Sequence, residues 1–186
     1  MQAAGTLYAM SKITYVYKMK KIHTYLILVV FFSCNSHEQK TADYEVKSET
    51  EVLAAKKWLI ESIELYFKND NSEMESITTK RYAEYKSDAI NIEFDVDGNL
   101  TEKQFEEKWK NYYDTKLAGF HSGFLISGQD WINPDVTNCD LKSKTKNSFV
   151  FKTTISDDGF KVKYIREIKI IKEKGQFKID DVVDLN

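Results

Sequence analysis

The sequence predicts an α+β domain with helices in its first half and an antiparallel strand meander in its second. Three observations predict it. Between residues 48 and 112 apolar side chains recur every three or four positions behind helix-capping motifs, the period of an amphipathic helix. After Gly119 the pattern changes to alternation, the period of a strand with one buried face. Two turn dipeptides, Asp158-Gly159 and Lys174-Gly175, divide that second stretch at hairpin spacing.

The first predicted helix opens on Ser48-Glu49-Thr50-Glu51, a capping box in which the first and fourth residues satisfy each other's orphan amides. Val52, Ala55, Leu59, Ile63 and Tyr66 then share one face to about Phe67, and Asn69-Asp70-Asn71 ends it. A second box at 72–75 opens a short helix. Residues 79–90 continue helically, with Tyr82, Tyr85 and Ala89 on one face. Thr101 caps a third helix, with Gln104 at the box position and Phe105, Trp109 and Tyr112 directed inward.

Strands are expected at 124–131, 136–144 and 149–155. Phe160, Val162, Tyr164, Ile168 and Ile170 share a face of the next, and Phe177, Ile179, Val183 and Leu185 a face of the last. Read as two-residue turns, the two dipeptides set the registers. Lys174-Gly175 places Ile170 opposite Ile179, Ile168 opposite Asp181 and Arg166 opposite Val183. Asp158-Gly159 places Phe151 opposite Arg166 and Ile155 opposite Val162. Both registers keep the apolar residues on one side of the pleat.

Ahead of the domain lies an address. Lys18, Lys20 and Lys21 precede an unbroken apolar run at 25–32, which Phe31-Phe32-Ser33-Cys34 follows. A membrane-spanning helix needs roughly 20 apolar residues, and this run is far shorter. Its length and its basic flank suit a signal peptide, and the small residue before Cys34 resembles a lipobox, where the cysteine is lipidated. Phe31 departs from the usual leucine, and an ordinary secretory signal or a buried strand would use similar letters. We therefore expect residues 1–34 as a lipoprotein leader (with Met19 a second possible start), 35–47 as a flexible tether, and 48–186 as one domain. Lipidation of Cys34 implies a protein anchored to a bacterial cell envelope. It also leaves Cys139 without a partner in the chain, so no internal disulfide is expected.

The leader carries four lysines and no acid, which leaves 23 basic and 29 acidic residues, a net of −6, on the rest. Such a balance lacks the basic footprint of a nucleic-acid or anionic-lipid binder. It suits a basic protein partner, as in immunity or inhibitor proteins.

The order of helices then meander over 48–186 resembles the nuclear transport factor 2-like superfamily. Gly128-Gln129-Asp130-Trp131 and the terminal 177–182 segment are similar to small secreted or lipid-anchored members. The resemblance implies a cone in which a curved sheet wraps the first helix, with a pocket between them. The superfamily holds isomerases, cyclases and non-enzymatic binding domains, so fold does not decide function.

In the expected register Arg166 and Asp181 point inward on neighbouring strands, within diagonal reach. Inward charges need partners. They form either a structural ion pair, with a bulge near residue 165 as a further option, or a polar patch in a ligand cavity with Arg166 aimed at an anion. Tyr82, Tyr85, Tyr112, Asp130 and Trp131 complete the candidate pocket. An isomerase-like site would pair Asp130 or Asp181 with Tyr82 or Tyr112; as core, the same aromatics simply pack.

Other signals are weaker. Glu93, Asp95 and Asp97 before Gly98 echo a calcium loop, but Gln104 stands where a bidentate glutamate belongs. His121 and Cys139 have no spacing that makes a zinc site or a triad. The glycines at 119 and 123 follow a helix, the wrong context for a phosphate loop. No metal, cofactor or catalytic residue is expected. The sequence thus points to an envelope lipoprotein that binds a small ligand or a protein, with a homodimer through the sheet face as one form. The alternatives are an isomerase- or cyclase-like enzyme on an apolar carbonyl compound and an immunity-type protein.

Overall fold

The computed structural model describes residues 35–69, 72–92, 98–120, 122–128 and 130–186, with side chains from Ser48 onward. Contacts divide the chain into residues 1–50 and 51–186. Of the first unit only the opening of α1 is described, and the rest of this account concerns the second. Cys34, His121 and the calcium-like Glu93, Asp95 and Asp97 lie outside the described residues.

Among the described residues three α-helices precede four strands, the α+β order expected: α1 Asn35–Lys68, α2 Lys80–Asn91, α3 Glu102–Trp109, then β1 Pro134–Lys144, β2 Ser148–Asp157, β3 Val162–Glu173 and β4 Gln176–Asp184. Helix α1 starts at Asn35, so the segment expected as a tether is helical and the box at 48–51 lies inside the helix. The stretch has no glycine or proline, and Glu38, Gln39, Lys40 and Ala42 favour helix. The expected short helix after Ser72 is a single 3-10 turn, Met74–Ser76. Thr79 caps α2 by accepting from the Tyr82 amide, and Thr101 with Gln104 makes the full capping box of α3. Lys108 holds α3 to α2 through Glu84 and Asp88, each at 2.8 Å, and Trp109 Nε1 donates to Asp88 at 2.9 Å.

The strands form one antiparallel sheet in the order β1-β2-β3-β4. Phe149, Phe151, Ile155, Ile168, Ile170 and Ile179 alternate onto its inner face and pack with Ala55, Leu59 and Ile63 of α1. Trp58 meets Phe177 at 5.8 Å between ring centres, and Lys172 bonds Glu51 at 2.9 Å, so residues 51–68 of α1 are fastened to the sheet. Glu73 to Thr79 follow α1 back to the sheet edge. There the Thr79 amide donates to Ile179 O at 2.8 Å and the Ile179 amide to Ile77 O at 2.9 Å, which covers the free edge of β4.

Three expectations fail locally. Residues 124–128 form no strand: Phe124, Leu125 and Ile126 are buried in succession, and a Cβ on Gly123 would stand 2.2 Å from Ile126 O, so the backbone there closes on itself. The β2–β3 connection has four residues, because the Asp157 carboxylate accepts from the Gly159 and Phe160 amides and the left-handed residue is Lys161 (φ 55). The register therefore moves by two, Arg166 opposes Thr153, and the inner face is unchanged. At the other hairpin Lys174 (φ 49) and Gly175 (φ 84) make the two-residue turn, and Ile170 opposes Ile179 as expected. A bulge at Asp180 then shifts the pairing, so that Asp181 opposes Lys169, and Arg166 opposes Asp184.

Candidate functional site

The bulge builds the first polar cluster. The extra residue turns Asp180 toward the covered edge of β4, where it is 1% exposed. Its carboxylate accepts from Thr79 Oγ1 at 3.1 Å, Arg81 Nη2 at 3.1 Å and Lys169 Nζ at 2.9 Å. Arg81 Nε donates to the Tyr113 hydroxyl at 3.3 Å, and the guanidinium carbon lies 5.3 and 5.8 Å from the ring centres of Tyr112 and Tyr113. An open hollow of about 570 Å³ lies between this arginine, Lys108 and Trp109 of α3, Tyr112, and Ile171 of β3.

Asp181 stands next to the cluster and lines a second open hollow, of about 510 Å³, with residues 110–116. Burial, with Asp180 and Glu167 adding repulsion, pushes its carboxyl up to about 6, against help from the Val182 amide and Lys169. Its neighbours are the rings of Tyr82, Tyr85 and Tyr113. Burial, and the charge of Asp181 after it, pushes Tyr82 well above the ordinary phenol range and raises Tyr85 too.

Arg166 belongs elsewhere. It is 3% exposed, and each nitrogen is occupied. Nε donates to Leu125 O at 3.0 Å, Nη2 to Ser127 Oγ at 2.8 Å, and Nη1 to the Asp184 carboxylate and, at 2.9 Å, to Asn186 Oδ1. The ion pair is structural, with Asp184 in place of the expected Asp181. Nearby, buried Lys86 donates to the carbonyls of Ala118 at 2.9 Å and Gly119 at 3.0 Å. Burial first, and the charge of Arg166 second, lowers its ammonium to about 8. Lys86 and Arg166 border a hollow of only about 20 Å³, room for one water.

A third feature is apolar. Ile132 is 63% and Phe160 50% exposed, with Trp131 and Val162 also uncovered. Buried Asp157 staples the two loops that carry them, accepting from the amides of Ile132 (2.8 Å), Asn133 (3.4 Å), Gly159 and Phe160. Burial opposes its charge, but these four donors prevail and hold the carboxyl below the usual range. A Cβ on Gly159 would stand 2.6 Å from Ile132, so the loops are in direct contact, and Trp131 rests on Phe67 with its Nε1 donating to Phe67 O at 3.3 Å.

The structure thus divides the expected pocket: Asp181 keeps Tyr82 and Tyr85 as neighbours and shares its open hollow with Tyr112, while Arg166, Asp130 and Trp131 stand apart. Tyr82 and Tyr85 are core, Tyr112 is 60% exposed with Tyr113 buried in its place, and Asp130 is exposed. The inward face is filled by Leu59, Ile63, Phe105, Phe149, Phe151 and Ile168, each under 2% exposed. No group of three or more histidine, cysteine or acidic residues suited to a metal occurs among the described residues. Among them no helix is long and apolar enough to cross a membrane. Sequence reading missed Arg81, Asp180, Lys86 and Asp157. The signal for Asp157 and Asp180 was adjacency to a second aspartate, which leaves open which of each pair is buried. Comparison with family models, with curated proteins and with solved structures gave no match.

Proposed function

We propose that this chain is a lipid-anchored envelope protein whose folded unit recognises a protein partner at its surface and performs no chemistry of its own. The observation that carries the reading is the stapled apolar patch of Trp131, Ile132, Phe160 and Val162 on a unit whose described core side chains pack the inward face of the sheet. Aromatic and aliphatic side chains held rigidly in the open are the usual anchors of a protein interface. Trp131, Ile132 and Phe160 lie on loops and Val162 opens β3, whereas the outer sheet face presents Lys152, Glu167 and Lys169, which favours a loop-end interface over a dimer through the sheet. The net charge of −6 favours a basic partner. The anchor rests on the leader ending at Cys34, and the helix-then-meander order is compatible with a nuclear transport factor 2-like cone.

The isomerase-like alternative needs a carboxylate and a free tyrosine hydroxyl in an enclosed cavity. Asp181 and Tyr112 share a hollow, but it is open rather than enclosed; Tyr85 donates to Asp114 O at 3.4 Å, Tyr113 accepts from Arg81, and Tyr82 is 1% exposed in the core. The test is photo-crosslinking in the native host from a photoreactive residue at position 160. One discrete adduct, lost with Ile132→Asp, is expected. No adduct, or the same adduct from position 152, refutes the patch. Cys34→Ser is expected to release the protein from the membrane fraction, and retention refutes the anchor.

A further inference from the structure

We propose that the hollow at Arg81 is a carboxylate-binding site, taking an acid group that carries an apolar or aromatic neighbour. This surface is separate from the apolar patch, and the inference does not depend on the partner reading.

Arg81 is an arginine already set for a ligand. Nη2 and Nε are occupied by Asp180 and Tyr113, and Nη1 makes no hydrogen bond to a described residue. The group that orients it is buried and is itself held by Thr79 and Lys169. The fork therefore loses little freedom on binding, the condition under which a guanidinium grips a carboxylate well. Charge agrees. Asp180 answers two cations, Arg81 and Lys169, both about half exposed, so this triad keeps one positive charge over. Of the acids on the rim, Glu84 shares Lys108 with Asp88, each at 2.8 Å, Glu173 stands at the end of β3, and Lys80 adds a further cation to the lining. Asp181 lines the neighbouring hollow.

The second half of the ligand follows from the walls. Tyr112 presents an exposed ring beside the guanidinium, and Trp109 and Ile171 line the same hollow. A purely inorganic anion would leave these surfaces unused. A carboxylate beside an aromatic or aliphatic group uses both, as small-molecule sites with a few placed polar groups do. Two sources offer that chemistry: a free aromatic or aliphatic acid, and the terminal carboxylate of a peptide that ends in an apolar residue.

The chain has two arginines, Arg81 and Arg166, which makes a direct test possible. Arginine labelled with nitrogen-15 in the full chain, in detergent micelles, gives two Nε–Hε signals, and the buried Arg166 reports on folding. Titration with 3-phenylpropionate is expected to move the Arg81 signal saturably and leave Arg166 still, while 3-phenylpropionamide moves neither. Tyr112→Ala is expected to weaken the aromatic acid roughly threefold to tenfold and leave acetate unchanged. N-acetyl-Ala-Ala-Phe and its amide form the peptide arm. Tighter binding of the peptide acid assigns the source to a chain terminus, and tighter binding of the small acid to a free ligand. Equal shifts with acid and amide in both arms, or an Arg81 signal that neither acid moves while Arg166 shows the chain folded, overturn the proposal.

Discussion

Asp181→Asn should stabilise this protein at neutral pH and do almost nothing in acid. The carboxyl is pushed from the ordinary aspartate value of 3.8 to about 6 by burial among Tyr82, Tyr85 and Tyr113. Below pH 3.8 both the folded and the unfolded chain hold the proton, and the group contributes nothing. Between 3.8 and 6 the unfolded chain has lost the proton while the folded chain keeps it, so stability falls as pH rises through that window. Above 6 the full difference is in force, a shift near two units at about 1.4 kcal/mol each, or about 3 kcal/mol against folding. Asparagine keeps the shape and can still accept from the Val182 amide, but has no charge to bury. Urea unfolding followed by tryptophan fluorescence (Trp58, Trp109 and Trp131 report) should show a gain of about 2–3 kcal/mol at pH 7.5 and about 0.5 kcal/mol at pH 4. A loss of stability at pH 7.5, or an equal gain at both pH values, would refute the assignment of Asp181 to a desolvated site.

Other outcomes follow from the same structure. Lys86, lowered to about 8, loses its proton in the folded chain above that pH while the unfolded chain remains protonated up to about 10.4. Stability should therefore rise between pH 8 and 10, by no more than about 3 kcal/mol, and Lys86→Met should flatten that rise in urea titrations. Arg166→Met strips Asp184, Ser127 and Leu125 O of their donor and should cost about 2–4 kcal/mol, with unchanged stability the contrary result. Gly159→Ala drives a Cβ into Ile132 and should cost about 1–3 kcal/mol, visible as a lowered melting temperature. Thr101→Ala removes the capping box of α3 and should cost about 1 kcal/mol, with amide exchange faster at the start of that helix than elsewhere.

Particular residues show why some of this was legible in the sequence. Thr101 and Gln104 act within one turn, and Lys174-Gly175 acts within one hairpin, so their chemistry is complete in a few neighbouring letters. Face assignment survived even where register did not. The β2–β3 loop is two residues longer than its Asp-Gly suggests, but a shift of two leaves every side chain on its own side of the pleat. The one-residue bulge at Asp180 is different. It changes which aspartate is buried and which cation it meets, and Asp180 and Asp181 are chemically identical in the sequence. The site was misplaced there, with Arg166 paired to the wrong acid and Arg81 unnoticed.

By itself, then, the sequence determined the α+β order, the inner faces of β2 and β3, the Thr101 capping box and the acidic balance, because each depends on local periodicity or simple composition. Only the tertiary structure decided that Arg166 pairs with Asp184 away from Asp181, that Asp157 staples two loops into an apolar patch, and that Asp180 draws Arg81 and Lys169 together. Those contacts join residues well separated in the chain. Whether they form depends on a bulge, a loop length and the covering of a sheet edge, which are settled by packing rather than by any neighbouring residue.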